Sequence, residues 1–193
     1  MNLADCGTLL AILVDRTVIA SPEKTPLSTA AGTILIMARA YAKDGDTFSM
    51  TGDPVNAMAG YYYGFGWLHF GWAYGLLEKP ETALDCCPFQ GACDRLPSAH
   101  APKLGEKTAR YARLLDTARA AVLPAADPAT SMHDFSCRIL AIGGCYASQG
   151  ANYQRACVYE DALACYSYGH GWLDAAVRSG LFRIAGHREL FTV

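Results

Sequence analysis

The sequence predicts an all-α fold, two pseudo-symmetric three-helix units forming one six-helix, bundle-like domain. Three observations carry this. The chain is a tandem duplication, read without gaps at an offset of 105 positions. The first segment of the second copy is full of strong helix formers at a helical apolar period. No stretch alternates apolar and polar residues over useful length.

The duplication is anchored by Gly66-Trp67-Leu68, which recurs as Gly171-Trp172-Leu173. At the same offset Tyr41-Ala42 matches Tyr146-Ala147, and Gly45 matches Gly150. Ala57, Ala59, Tyr61, Tyr63 and Gly64 match Ala162, Ala164, Tyr166, Tyr168 and Gly169, and Gly75-Leu76 matches Gly180-Leu181. These make 13 identities in the 41 positions from 37 to 77. The units are read as residues 1–80 and 106–193, joined by a linker over 81–105.

Taken in order, Thr8–Ala20 is rich in Leu, Ile and Val and by itself would suit a strand. Its counterpart, Lys107–Leu123, settles both as helices. A proline-bearing turn follows in each copy, with Pro22 and Pro26, then Pro124 and Pro128. Second helices are expected over Ser28–Thr51 and Thr130–Ala156, third helices over Pro54–Leu77 and Tyr159–Ile184. Asp53-Pro54 is a good helix start, with Asp as N-cap and Pro at the first helical position. The linker carries Pro80, Pro88, Pro97 and Pro102 and has no periodicity.

Composition narrows the function classes. The chain is 52% hydrophobic and only 18% charged, below the ~25% typical of soluble proteins, so much of its surface is expected to be self-covering or partnered. A net charge of −2 argues against nucleic acid, which needs a basic face, and against a polybasic membrane anchor. The run Met1-Asn2-Leu3-Ala4-Asp5-Cys6 lacks the positive region of a secretory signal, and Asp15-Arg16 interrupts the apolar run before it. A cytoplasmic protein is expected. The eight cysteines then read as small apolar residues rather than a disulfide framework.

Tyr41-x-x-Asp44-x-x-x-Phe48, Gly52-Asp53-x-x-x-Ala57 and Tyr63-Gly64-Phe65-Gly66-Trp67-Leu68 together resemble an uncharacterised archaeal helical family, domain of unknown function 357. Tyr168-Gly169-His170-Gly171-Trp172-Leu173-Asp174-Ala175 in the second copy is similar to that family's most recognisable string. The second copy departs earlier, with Gln149, Cys157 and Val158 where the family pattern favours acid, Gly and Asp. The resemblance covers the second and third helices of both copies. It implies a small helical bundle of archaeal origin and no activity.

Four constellations bear on function. The third helix of copy one has no charge over the 24 positions from Pro54 to Leu77. Its twin carries Glu160, Asp161, Asp174 and Arg178, which argues against a membrane span and for a buried helix. The stripes Tyr63/Trp67/Phe70/Tyr74 and Gly64/Leu68/Gly71/Gly75, with Tyr168 and Trp172 in copy two, read as core packing first and a ligand groove second. His170, Asp174 and Arg178 share one helical face, either a surface ladder or an acid–base pair lacking a nucleophile. Cys86, Cys87 and Cys93 with His100 are the one plausible metal cluster, at a spacing that fits no common zinc signature.

The resulting expectation is a non-enzymatic helical module that associates with a protein partner or itself, without cofactor, nucleic acid or membrane. The alternative is a small-molecule binder or enzyme with its site near His170 and Asp174. The copy-one third helix is expected to be buried on more faces than its twin.

Overall fold

The computed structural model describes residues 2–81 and 93–192. Six helices account for the architecture: α1 (Leu3–Arg16), α2 (Pro26–Met50), α3 (Pro54–Ala73), α4 (Ala101–Ala120), α5 (Ser131–Arg155) and α6 (Tyr159–Arg178). The all-α expectation holds. Helices α3 and α6 pack against each other at the centre; α1 and α2 cover α3, and α4 and α5 cover α6. One hydrophobic cluster runs through both copies, from Leu10 and Ile34 to Leu173 and Phe182.

The crossing of α3 and α6 is set by two glycines that the duplication equates. A Cβ on Gly66 would lie 2.5 Å from the carbonyl oxygen of Tyr168, and a Cβ on Gly171 would overlap that of Tyr63. Both pairs of positions, 66/171 and 63/168, stand at the 105 offset, so the contact is self-complementary, as across a two-fold axis. The expected glycine stripe does other work: Gly64 faces Leu10 and Tyr41, and Gly169 faces the equivalents Leu115 and Tyr146. Side chains of the outer helices fill that stripe.

The expected helix ends are corrected. Helix α1 stops at Arg16, and Val18–Ile19 (β1) pairs antiparallel with Leu77–Glu78 (β2). In copy two, Val122–Pro124 (β3) pairs with Phe182–Ile184 (β4). The third helices therefore end at Ala73 and Arg178, short of the expected Leu77 and Ile184. The cause is Gly75 and Gly180, at φ +76° and +79°, a left-handed conformation that ends a helix cheaply only at glycine. Leu76 N–H then bonds to Gly71 O, and Leu181 N–H to Ala176 O. Strands of two or three residues are too short to show a period-two pattern. Helix α4 starts at Ala101, inside the stretch read as linker, with Pro102 in its first turn.

The expectation that α3 is the more deeply buried third helix is overturned. Every residue of α6 from Glu160 to Val177 is buried, whereas over the equivalent positions 55–72 α3 surfaces at Asn56, Gly60, His69 and Trp72. The charges taken as evidence of water around α6 lie inside: Glu160, Asp161 and Asp174 are each less than 5% exposed. Glu160 accepts from Arg95 Nη1 and Leu96 N, and Asp161 Oδ1 accepts from Cys93 N. Buried carboxylates are tolerable only with such donors, and chain segments outside the helical core supply them. No helix among the described residues is long and apolar enough to cross a membrane.

Candidate binding pocket between the copies

The pseudo-symmetry creates two equivalent contacts across the centre. Tyr63 Oη on α3 donates to Asp174 Oδ2 on α6 at 2.8 Å, and Tyr168 Oη on α6 meets His69 Nδ1 on α3 at 2.7 Å. Positions 63/168 and 69/174 are equated by the repeat, so the geometry recurs while the chemistry differs. Burial pushes the His69 imidazole down to about 4, with Lys79 adding to the shift.

Asp174 is fully buried. Besides Tyr63 it accepts from Thr192 N at Oδ1 and Thr192 Oγ1 at Oδ2, both at 2.9 Å. Three donors satisfy it as a carboxylate. The C-terminal segment that brings Thr192 also buries Phe191 and places the Leu190 carbonyl 3.2 Å from His170 Nε2. A carbonyl only accepts, so Nε2 carries the ring proton and Nδ1 is left as a lone pair. Nδ1 is buried and has no partner. Desolvation holds His170 toward the neutral form, against the opposing pull of Asp174 and the Leu190 carbonyl.

His170 stands edge-on to Tyr63, ring centroids 5.3 Å apart, and Tyr41 from α2 packs on Tyr63 at 4.6 Å. Burial, then the charge of Asp174, raises both phenols above their ordinary range. The phenol of Tyr111 on α4 is raised by burial as well. These rings, with Ala59, Gly60, Leu114 and His170, line a pocket of about 210 Å³. Two larger hollows of about 630 Å³ lie elsewhere, beside Asp116 and His187 and beside Glu23 and Lys24. All four of those ionisable side chains are exposed, so neither hollow gathers buried titratable groups.

Of the residues singled out in the sequence, Tyr63, His170 and Asp174 are thus brought together. The surface ladder read for His170 and Asp174 is overturned; only Arg178 is exposed. Trp67 and Trp172 are buried at equivalent places, away from the pocket, with Trp172 edge-on to Phe70. Tyr168 serves the twin contact. Cys93 lies 3.2 Å from the Tyr62 hydroxyl, and burial pushes its thiol up to about 12. His100 ends a single 3-10 turn, and Cys86 and Cys87 lie outside the described residues. Among the described residues no group of three or more His, Cys, Asp or Glu is placed to hold a metal ion.

Sequence reasoning missed Tyr41, Tyr111, His69, Leu190 and Thr192 as site residues. Tyr41 carried a signal, its identity with Tyr146. Nothing local marks Thr192, which reaches Asp174 only through the tertiary fold.

Comparison with known proteins agrees with the repeat. No curated protein and no solved structure matches the chain. One family model matches twice, over residues 8–77 and 110–182, and every pocket-lining residue falls inside those segments. The chain therefore belongs to the family described as Protein of unknown function (DUF357), in a tandem arrangement of two copies.

Proposed function

We propose that the protein binds a small molecule in the pocket between its copies. One observation carries the reading: Tyr41 and Tyr63 of copy one and Tyr111 and His170 of copy two converge on one pocket of about 210 Å³. A pocket of mostly apolar lining with a few convergent polar side chains is the usual place for a small ligand. Binding rather than turnover fits the local hydrogen bonds. Asp174 is engaged by Tyr63 and Thr192 while His170 turns Nε2 to Leu190, so no carboxylate orients the imidazole as acid–base chemistry needs. A screen of compact fragments against the full-length protein, followed by NMR, tests this. At least one fragment is expected to shift Gly60, Tyr111 and His170 saturably, and His170→Phe to abolish the effect. A library that moves none of them, or shifts that persist in the variant, would overturn the reading.

A second reading, association through apolar helix faces, is favoured by the outer surface of copy one. Leu27, Ile36 and Met50 on α2 are 57%, 64% and 80% exposed. The copy-two positions hold Met132, Ala141 and Arg155, so at 36 and 50 the exposed large apolar side chains are particular to copy one. Light scattering on the wild type and Ile36→Lys tests self-association. A wild type that stays monomeric across its soluble range would exclude it.

A further inference from the structure

Building on the small-molecule reading above, we infer that the ligand of this pocket carries a compact anionic group, a carboxylate or a phosphate, on an apolar body. Two cations stand at one edge of the pocket. Lys107 Nζ lies 4.9 Å and the Arg110 guanidinium 5.9 Å from the ring centroid of Tyr111, a lining residue. Lys107 also donates to Asn56 Oδ1, one helical turn before the lining residue Gly60 on α3. Among the described residues no carboxylate is in ion-pair contact with either cation, and the nearby Asp53 is paired with Lys103 at 2.6 Å. Burial, then the charge of Arg110, pulls Lys107 below its ordinary range, with Lys103 adding and Asp53 and Glu106 opposing. An anion beside the two cations relieves that repulsion.

The internal repeat shows that this edge differs in charge from its twin. At the 105 offset Tyr111 and Gly60 correspond to Cys6 and Cys165. There a segment of the chain itself is seated: Cys93 Sγ and Cys6 Sγ lie 3.2 and 3.7 Å from Tyr62 Oη. That segment presents donors, and acids receive them. Cys93 N–H donates to Asp161 Oδ1, and Leu96 N–H and Arg95 Nη1 donate to Glu160. The pocket edge has none of these acids. Asn56 and Val55 stand where the twin has Asp161 and Glu160, and Arg110 and Lys107 where it has Asp5 and Asn2. Three acids are replaced and two cations gained, so the complementary occupant supplies acceptors and negative charge. The buried Asp174 opposes an anion, but it does not line the pocket, and three donors compensate its charge. A volume of about 210 Å³ is below the usual range for drug-sized ligands, so the apolar body among Tyr41, Ala59 and Leu114 is small.

Four compounds of similar shape test this: isobutyrate, isopropyl phosphate, isopropanol and isopropylammonium. Each is titrated into the full-length protein at constant pH and ionic strength, following the NMR signals of Gly60, Tyr111 and His170. At least one of the two anions is expected to bind tenfold or more tightly than isopropanol, and the tighter of them names the head group. Isopropylammonium is expected to give no saturable shift. Lys107→Gln and Arg110→Gln are each expected to weaken anion binding severalfold and leave isopropanol unchanged, while Lys107→Arg, which keeps the charge, retains it. Isopropanol or isopropylammonium binding as tightly as the anions would overturn the anion inference and leave the small-molecule pocket standing. Anion binding that both neutral variants leave intact would do the same. No saturable shift from either anion would also overturn the anion inference; the fragment screen then decides the pocket separately.

Discussion

At the residue scale the duplication separates glycines that hold the fold from glycines that merely occur in it. Gly66 and Gly171 touch the opposite copy's backbone, which cannot yield like a flexible side chain. Gly32 on α2 has nothing within 4 Å of its would-be Cβ. Gly66→Ala and Gly171→Ala are each expected to cost about 1–3 kcal/mol through overpacking. Gly32→Ala is expected to stabilise by up to about 1 kcal/mol through helix propensity. Urea unfolding of the three variants checks the contrast, and equal effects would remove the special role of the crossing. The two depressed imidazoles, His69 half-buried and His170 buried, give a second expectation at this scale. His69 sits at about 4 in the folded chain against about 6.5 unfolded. The unfolded state therefore binds the proton first as pH falls, and stability is full above about 6.5 and lost from there toward 4. About 2 kcal/mol of that loss falls between pH 7.5 and 5, and His170, depressed in the same direction, adds to it. His69→Gln is expected to flatten the fall in stability over that range; an unchanged slope would mean that the imidazole protonates without cost.

At the element scale the two copies show which local signals the sequence carried and which it lacked. Asp53-Pro54 marked the start of α3, and Asp53 Oδ1 indeed accepts from Asn56 N at 3.2 Å. Helix α6 starts at the equivalent place after Val158, with no side-chain cap, although Val158 (φ −99°, ψ 70°) has nearly the backbone of Asp53 (φ −112°, ψ 71°). Val158→Asn supplies an acceptor without adding charge beside Glu160 and Asp161, and is expected to stabilise by about 1 kcal/mol. A change in thermal midpoint of either sign but below a degree would show that packing, not the cap, sets this end. The ends of the first and third helices were less legible. Val18, Ile19 and Leu77 continue an apolar pattern compatible with helix, and only pairing with a distant segment makes them strands. Gly75 and Gly180 were visible as a repeated pair, but a glycine in an apolar run reads equally as close packing and as a left-handed stop.

At the scale of the whole molecule, the repeat made the architecture legible because an unbroken offset over so many residues requires equivalent elements. It gave no view of which helix faces meet. His170 and Asp174 lie on one helical face in any reading, yet whether that face meets water depends on Leu190 and Thr192 folding over it. This is why polar spacing on α6 suggested a surface and the structure buries it. The same dependence bears on how the molecule folds. Helix α3 presents Tyr63 and Gly66 to copy two, and α6 presents Tyr168 and Gly171 to copy one. Without its counterpart each three-helix unit would expose the apolar centre of the protein, and units of this size bury too little surface to tolerate that. A fragment of residues 1–80 is therefore expected to lack a cooperative thermal transition at the full-length midpoint. Mixed with a fragment of residues 93–193, it is expected to recover helical circular dichroism and form a one-to-one complex, since the contact between α3 and α6 needs no covalent link. Cooperative unfolding of residues 1–80 alone at the full-length midpoint would show that each copy holds its own core, and that the central contact joins two units already folded.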